Sequence, residues 1–215
     1  PSLVPVELNG DWFKELMGLT LKNVKLDILD SKNKVKYSNQ GEMKFTSYGI
    51  SGPIVLSGSR FIDYKDTYSI SIDLKPSLDE KELDLRIQKD FKKYINKDFR
   101  NSLDDLLPQK MIPLIIKLSM IDPYKKVNEI TKVERRNLVN AIKNIKGKVK
   151  GLRPLAEAIV TSGGVSTLEI DPSTMKSKII NNLSFAGEVI DIDAFTGGYN
   201  VQIALSTGYL AGKYL

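Results

Sequence analysis

No cysteine and no histidine occurs among the 215 residues of the chain. The absence of cysteine excludes disulfide bonds, thiolate nucleophiles and cysteine-based zinc sites. The absence of histidine removes the most common general base and metal ligand, and we expect no metal site. Any chemistry must therefore use carboxylates, lysines, hydroxyl groups or a bound cofactor.

Long apolar runs are missing as well. No stretch approaches the roughly 18 consecutive apolar residues of a transmembrane helix, and the opening PSLVPVELNG lacks the basic start and apolar centre of a signal peptide. With 41% hydrophobic and 27% charged residues, the composition is typical of a folded globular protein. We expect a cytoplasmic protein with no membrane partner, and Pro as the first residue leads us to expect a piece of something longer.

The net charge of +6 lies mostly between residues 89 and 150. Basic residues alternate there with Asp and Glu on what the pattern predicts to be helix faces, and few aromatic residues lie among them. The default interpretation is a solvated helical surface, and a dedicated nucleic-acid surface is the less favoured alternative.

Alternating apolar and polar residues predict strands in the first part of the chain. They cover residues 3–8, 19–29, 35–37, 42–46 and 67–74, with an irregularity near Asn23 and a turn at residues 30–33. Strands at this spacing predict a small antiparallel sheet or barrel. Gly52 and Pro53 before an apolar run predict a helix start that either packs inward or faces a ligand.

After residue 77 the apolar period changes from two to nearly four. This predicts helices over residues 78–95 and 108–120 and a third that Gly147 ends. Two capping boxes are predicted, at Ser77 with Glu80 and at Thr131 with Glu134. The helices then form a subdomain inserted between β-rich segments.

Residues 184–200, SFAGEVIDIDAFTGGYN, combine the end of a predicted strand over 178–186, a turn, a glycine pair and a helix that runs to about residue 214. A helix that begins at Gly197 and Gly198 exposes free N–H groups and its positive dipole end, which can hold an anion or an electron-rich carbonyl. The alternative is an ordinary strand-to-helix turn. Small residues at 204, 208 and 212 share a helix face that needs a partner layer.

Three motifs carry a family resemblance: GISGPIVL at 49–56, AIVTSGGVST at 158–167 and LSFAGEVIDIDAFTGGYNVQIALSTGYLAG at 183–212. In this order and spacing they resemble the bacterial NAD(P)/FAD-dependent flavoproteins called YhiN-like or BaiN-like, which include the aminoacetone oxidase family. The resemblance covers essentially the whole chain. No GxGxxG turn for the ADP part of FAD occurs here, so the N-terminal dinucleotide-binding half of such a protein is absent.

The resemblance implies an α+β fold: a small antiparallel β-barrel with an inserted helical subdomain, then a C-terminal strand-helix segment of a glutathione-reductase-like FAD domain. The implied domains are a barrel at 1–76 and 147–157, a helical subdomain at 77–146 and the FAD-domain segment at 158–215.

The resemblance also implies a cofactor site along residues 184–200. Gly187 would leave room for the ribityl or pyrophosphate chain, and Glu188 or Asp191 would bind ribityl hydroxyls. The backbone at Gly197 and Gly198 would stabilise the N1–C2=O edge of reduced flavin.

Three residues would flank the flavin edge: Tyr199, Asn200 and Gln202. For the last two, capping and surface hydration are the alternative roles, and Asp193 is interpreted as a turn residue. No catalytic acid is assigned, since Tyr48 and Ser51 are candidates by position only.

The implied function is the C-terminal portion of an FAD-dependent oxidoreductase that transfers hydride between NAD(P)H, flavin and a small organic substrate. Its partners would be the absent N-terminal half and that substrate, and the FAD site would be incomplete in this chain alone. Members of the family are described as bile-acid-type enone reductases and aminoacetone oxidases, so the substrate stays open. The alternative is a non-catalytic interaction module whose basic helices bind a partner protein or RNA.

Overall fold

The computed structural model describes residues 1–214 and contains a closed six-stranded antiparallel barrel. Its neighbour order is β1-β4-β3-β2-β5-β6. The strands are β1 (Val6–Leu8), β2 (Thr20–Leu29), β3 (Val35–Phe45), β4 (Gly49–Ser51), β5 (Ser69–Asp73) and β6 (Ile145–Leu152). β6 pairs with both β5 and β1, and these two pairings close the barrel. The predicted small antiparallel barrel is confirmed.

The β2–β3 hairpin follows the sequence pattern closely. The Asp30 carboxylate accepts backbone N–H bonds from Lys32 and Lys34, each 2.9 Å long, and fixes the predicted turn. The pairing register shifts between Leu21 and Val24, next to the predicted irregularity. The separate strands predicted at 35–37 and 42–46 are wrong, because β3 continues between them. Pairing with β2 along this stretch satisfies the backbone while its polar side chains face solvent.

The helices are α1 (Pro53–Ser59), α2 (Glu80–Lys93), α3 (Ile112–Ser119), α4 (Lys132–Lys143) and α5 (Tyr199–Lys213). Short 3-10 turns lie at Lys14–Leu16, Phe99–Asn101, Gln109–Met111, Val127–Glu129, Leu155–Glu157, Thr167–Glu169 and Gly187–Val189. α4 packs against α2 and α3. Their apolar faces and the barrel interior form one continuous hydrophobic cluster. None of the helices in residues 1–214 combines the length and apolar character needed to cross a membrane.

Two predictions about helix ends are wrong. The capping box of α2 joins Asp79 and Glu82, whose reciprocal bonds measure 2.8 and 2.9 Å, and not Ser77 and Glu80. Aspartate accepts the same backbone bond as serine, so the pattern recurs two residues later. Gly147 does not end α4. It lies in β6, where a Cβ would come within 3.0 Å of the Trp12 ring. The second predicted box, Thr131 with Glu134, is confirmed.

The last part of the chain, residues 158–214, forms isolated bridges and α5, and no strand forms within these residues. The strand predicted over 178–186 is therefore wrong here. Only one bridge, between Lys176 and Ser184, involves its residues. In a small second hydrophobic cluster, Ala211 of α5 packs with Ile170, Met175 and Ile190. The predicted domain boundaries near residues 76, 146 and 157 stay predictions.

Replacing Glu134 with Gln should lower stability in a pH-dependent way. The Lys125 ammonium, 2.7 Å from the carboxylate, and then the Thr131 N–H lower the pKa of Glu134 to about 2. Because the unfolded chain binds the proton more tightly, this charge stabilises the fold at neutral pH, and the contribution is lost as pH falls from about 5 to about 2.

The carbonyl oxygen of Gln can keep the capping bonds from Thr131, whereas the charge and one of the two bonds from Lys125 are lost. Near neutral pH, the parent should have a higher melting temperature than Glu134→Gln. The difference, measured by circular dichroism, should become small by about pH 2. A gap of constant size across this range would contradict the electrostatic assignment.

Candidate functional site

The start of α5 is a turn of two glycine residues that both have positive φ. Gly197 and Gly198 take φ values of +117° and +88°, in the region that side chains with a Cβ disfavour. A Cβ at Gly198 would meet nothing within 4 Å, so the backbone angle, not crowding, selects glycine there. No side chain caps the helix, and the first amide to bond a helix carbonyl is that of Gln202, 3.0 Å from the Gly198 oxygen. The preceding amides and the helix dipole are thus available to an acceptor.

An ion pair fixes the loop that leads into α5. Arg60, directly after α1, donates from Nε to Asp193 at 2.7 Å and from Nη2 at 3.1 Å. The Ser2 hydroxyl donates to the same carboxylate. The two charged side chains are only 26% and 14% exposed. Burial alone would raise the pKa of Asp193, but the bonds from Arg60 and Ser2 outweigh it, and the pKa lies below its ordinary value.

Further contacts secure the same loop to α1 and to α5. The Arg60 guanidinium lies 5.2 Å from the centre of the Phe195 ring. The hydroxyls of Ser57 and Thr196 are 3.3 Å apart. The Asn200 side chain accepts from the Ala194 N–H at 2.8 Å and donates to the Ala194 carbonyl at 3.0 Å. The start of α5 is therefore held against the barrel through α1.

The other residues predicted to bind cofactor lie before α5, at positions 187, 188 and 191, and within it, at positions 199 and 202. The Gly187 N–H donates to Thr207 Oγ1 at 2.9 Å, beside the middle of the helix. Asp191 accepts from the Gly163 N–H at 3.0 Å, and Gln202 donates to Ser206 at 3.0 Å. Glu188 and Tyr199 are exposed.

The structure therefore brings Gly197, Gly198, Tyr199 and Asn200 together at the start of α5 and places Gly187 beside its middle. The Asn200 amide is engaged in closing the loop. The cofactor contacts of the eight residues stay predictions.

Sequence reasoning missed the residues that hold this loop. Arg60 and Asp193 are 133 positions apart, and no local pattern links them. Asp193, interpreted from sequence as a turn residue, is an anchor for the loop. Tyr48, considered as an acid, packs under the Arg153 guanidinium at 4.4 Å, a contact made next to β6 and not at α5.

Residues 1–160 match the family described as the HI0933-like protein barrel and H2TH domain. The chain belongs to this family. It is 30% identical, over 99% of its length, to the 3-dehydro-bile acid delta(4,6)-reductase of Clostridium scindens, of which it covers 53%. It is 36% identical, over 78% of its length, to a ribosomal RNA dihydrouridine synthase of Haemophilus influenzae, of which it covers 40%. It is 28% identical, over its whole length, to the ribosomal RNA dihydrouridine synthase of Escherichia coli, of which it covers 51%.

The chain thus spans about half the length, or less, of these curated relatives. The family resemblance inferred from the sequence motifs is confirmed. A relative named as a reductase shows that the family contains oxidoreductases.

Replacing Asp193 with Asn should loosen the loop before α5. The change leaves Arg60 half-buried without its countercharge, and we expect a loss of about 1–2 kcal/mol, between the values for surface and buried pairs. Thermal or urea unfolding measures the loss, and limited proteolysis should cut near residues 191–197 more quickly.

The matched control is Asp11→Asn, because Asp11 pairs with Lys14 at the surface, where the two side chains are 80% and 57% exposed. This variant should change stability by less than about 0.5 kcal/mol. Equal effects of the two substitutions would show that the Arg60–Asp193 pair has no special role in the loop.

Proposed function

We propose that the chain is the barrel, helical and C-terminal part of an FAD-dependent oxidoreductase that moves hydride between NAD(P)H, flavin and a small organic substrate. The observation that carries the proposal is the uncapped start of α5, where Gly197 and Gly198 take positive φ and the preceding loop is fixed to α1. Family membership and the named reductase support it. We also propose a cytoplasmic location, in keeping with the absence of cysteine.

The residues at this helix start fit a flavin. FAD, when bound, accepts and donates hydride, and negative charge builds on its carbonyl edge when it is reduced. The free N–H groups after Gly198 and the helix dipole favour such charge, and the open space at Gly198 allows close approach to the backbone. Asn200 keeps those amides in place through its two bonds to Ala194. Tyr199 is exposed beside them and is free to lie against a ring system.

The names of the relatives indicate a class of substrate. A 3-dehydro bile acid with delta(4,6) double bonds is a conjugated ketone, and dihydrouridine is uridine with the double bond beside its C4 carbonyl reduced. Both reactions add hydrogen across a carbon–carbon double bond conjugated to a carbonyl group. We propose the same class for this chain, with hydride added to the carbon remote from the carbonyl and a proton to the adjacent one.

The second half of the site would come from the rest of a longer protein. α5 exposes Tyr199, Val201, Leu205 and Tyr209, each more than 60% accessible. A groove of about 290 Å³ beside α5 is lined mainly by apolar side chains, among them Ile170, Met175, Ile190 and Leu210. Since the relatives are about twice as long, we propose that their additional residues, including a dinucleotide-binding half, cover this face.

In the full-length protein that contains this chain, Gly198→Val should abolish retention of FAD. A β-branched residue cannot take φ +88° without strain, so the helix start would move and its amides would turn away. The absorbance of purified protein near flavin wavelengths gives the occupancy.

Gly151→Val is the matched control, since Gly151 lies in β6 with nothing within 4 Å of a Cβ and without positive φ. It should retain FAD. Unchanged flavin content in Gly198→Val would remove the glycine pair from the cofactor site.

A second candidate function places RNA as the partner of the helical region. Two relatives are named ribosomal RNA dihydrouridine synthases, which favours this alternative. A groove of about 620 Å³ between α2 and α4 is lined by the cations Lys81, Lys132 and Arg136 and by the carboxylates Glu80 and Asp84, among other residues. No ion pair is formed by these three cations within residues 1–214. They could therefore contact phosphates.

The double variant Lys132→Ala/Arg136→Ala should reduce the salt dependence of ribosomal RNA binding. Loss of two phosphate contacts lowers the slope of log K against log salt by about 2. Filter binding over a range of salt concentrations measures the slope, with Lys34→Ala/Lys65→Ala as the control for lost surface charge. An unchanged slope would exclude the groove, and no binding at low salt would remove RNA as a partner.

A further inference from the structure

The segment between α3 and α4 presents an exposed tyrosine ring beside an arginine. Tyr124 is 64% exposed, and the Arg100 guanidinium lies 4.4 Å from the centre of its ring. Arg100 is also exposed, and it forms no ion pair within residues 1–214. Neither side chain belongs to the hydrophobic cluster that joins the barrel to the helices, so core packing does not explain the pair.

Backbone hydrogen bonds hold both members of the pair in place. The Phe99 N–H donates to the Lys125 carbonyl at 2.9 Å, and the Arg100 N–H donates to the Pro123 carbonyl at 3.1 Å. The positions of Arg100 and Tyr124 therefore do not depend on their side-chain contact alone. Because the backbone around it is already ordered, the ring can bind a flat partner at little cost in conformational entropy.

Two cations on the segment that carries Arg100 have no carboxylate partner. The second is Lys97, which is exposed and forms no ion pair in the part of the chain that the structure describes. The Cα atoms of Lys97 and Arg100 are at most about 11 Å apart. Between them, the Asp98 carboxylate is paired with a lysine 2.7 Å away. The segment therefore offers positive charge to an anionic partner.

One carboxylate lies next to the ring without a cation. Asp122 is exposed, and its Oδ1 accepts the Tyr124 N–H at 2.9 Å. It would repel a phosphate group placed on its side of the ring. An anionic partner of Tyr124 would therefore place its phosphates toward Lys97 and Arg100.

The same segment is joined to the start of α4, where residues of the cationic groove begin. The Lys125 ammonium lies 2.7 Å from Glu134, which forms the capping box of α4 with Thr131. Lys132, two positions before Glu134, lines the groove between α2 and α4. The exposed ring and the groove cation Lys132 are thus connected through one ion pair.

We propose that Tyr124 is a stacking platform for an unpaired base of RNA and that Lys97 and Arg100 contact the phosphates beside this base. Bases that are not held in a duplex stack on exposed aromatic rings, and nearby cations bind the backbone. The inference rests on the second candidate function and deepens it, because it specifies RNA that is single-stranded at Tyr124.

The test measures binding of a short single-stranded RNA of mixed sequence to the full-length protein by fluorescence anisotropy. Tyr124→Ala should weaken binding about fivefold to a hundredfold, the value of one stacked base, and leave the salt dependence unchanged. Tyr124→Phe keeps the ring and should bind like the parent. Binding of an RNA duplex of the same length should be equal in all three proteins.

Two further measurements separate stacking from charge. A fluorescent adenine analogue in the RNA, whose emission falls on stacking, should lose emission with the parent and Tyr124→Phe but not with Tyr124→Ala. Arg100→Gln should lower the slope of log K against log salt by about 1, the value of one phosphate contact. An unchanged slope would overturn the role of Arg100.

The control variant is Tyr64→Ala, because Tyr64 is 67% exposed and lies after α1, outside the helical region. It should leave RNA binding unchanged. RNA binding that depends on Lys132 and Arg136 but not on Tyr124 would overturn this inference alone. Equal losses of single-stranded and duplex RNA in Tyr124→Ala would overturn it too, because the loss would not depend on an unpaired base. Absence of RNA binding at low salt would overturn the second candidate function as well.

Discussion

The pairing of β6 with β5 on one side and with β1 on the other is the constraint on which the rest of the structure depends. β5 ends at Asp73 and β6 begins at Ile145, so the segment that contains α2, α3 and α4 connects two neighbouring strands of the barrel. Lys143, the last residue of α4, links the end of this segment to its beginning after β5. Its ammonium lies 2.6 Å from Asp73 and also donates to the Lys75 and Leu78 carbonyls. Since both charged side chains are about 15% exposed, solvent screens this pair weakly.

The closed barrel in turn fixes the position of α1. Gly52, which caps α1, takes φ +104°, and a Cβ there would approach the Met43 backbone to 2.9 Å. At the other end of α1, a Cβ on Gly58 would come within 2.9 Å of the Tyr37 ring. Close approach at both ends leaves the helix little freedom to shift. Its Ser57 and the following Arg60 can therefore hold the loop at 193–196 in one position, and the barrel positions the start of α5 through α1.

Much of the fold could be predicted from local sequence because local physics decides it. The alternation in β5, the Asp30 turn and the Thr131 capping box each depend on residues only a few positions apart. The continuity of β3 could not be predicted in this way, since pairing with β2 holds its polar middle in the strand. The same distinction between local and long-range features applies to the candidate site. Its glycine pair was visible in the sequence, whereas the Arg60–Asp193 pair depends on chain closure over 133 positions.

The segment after residue 158 behaves differently because it lacks most of a core. Its buried cluster has four residues, whereas one cluster unites the barrel with the helices. A strand forms only where neighbours accept its backbone bonds, and residues 178–186 have a single bridge. The segment keeps its order through α1 and through bonds such as that from Gly187 to Thr207. It therefore combines a helix start that side-chain contacts hold in place with an exposed apolar helix face, and this combination supports the proposal of a site shared with another part of a longer protein.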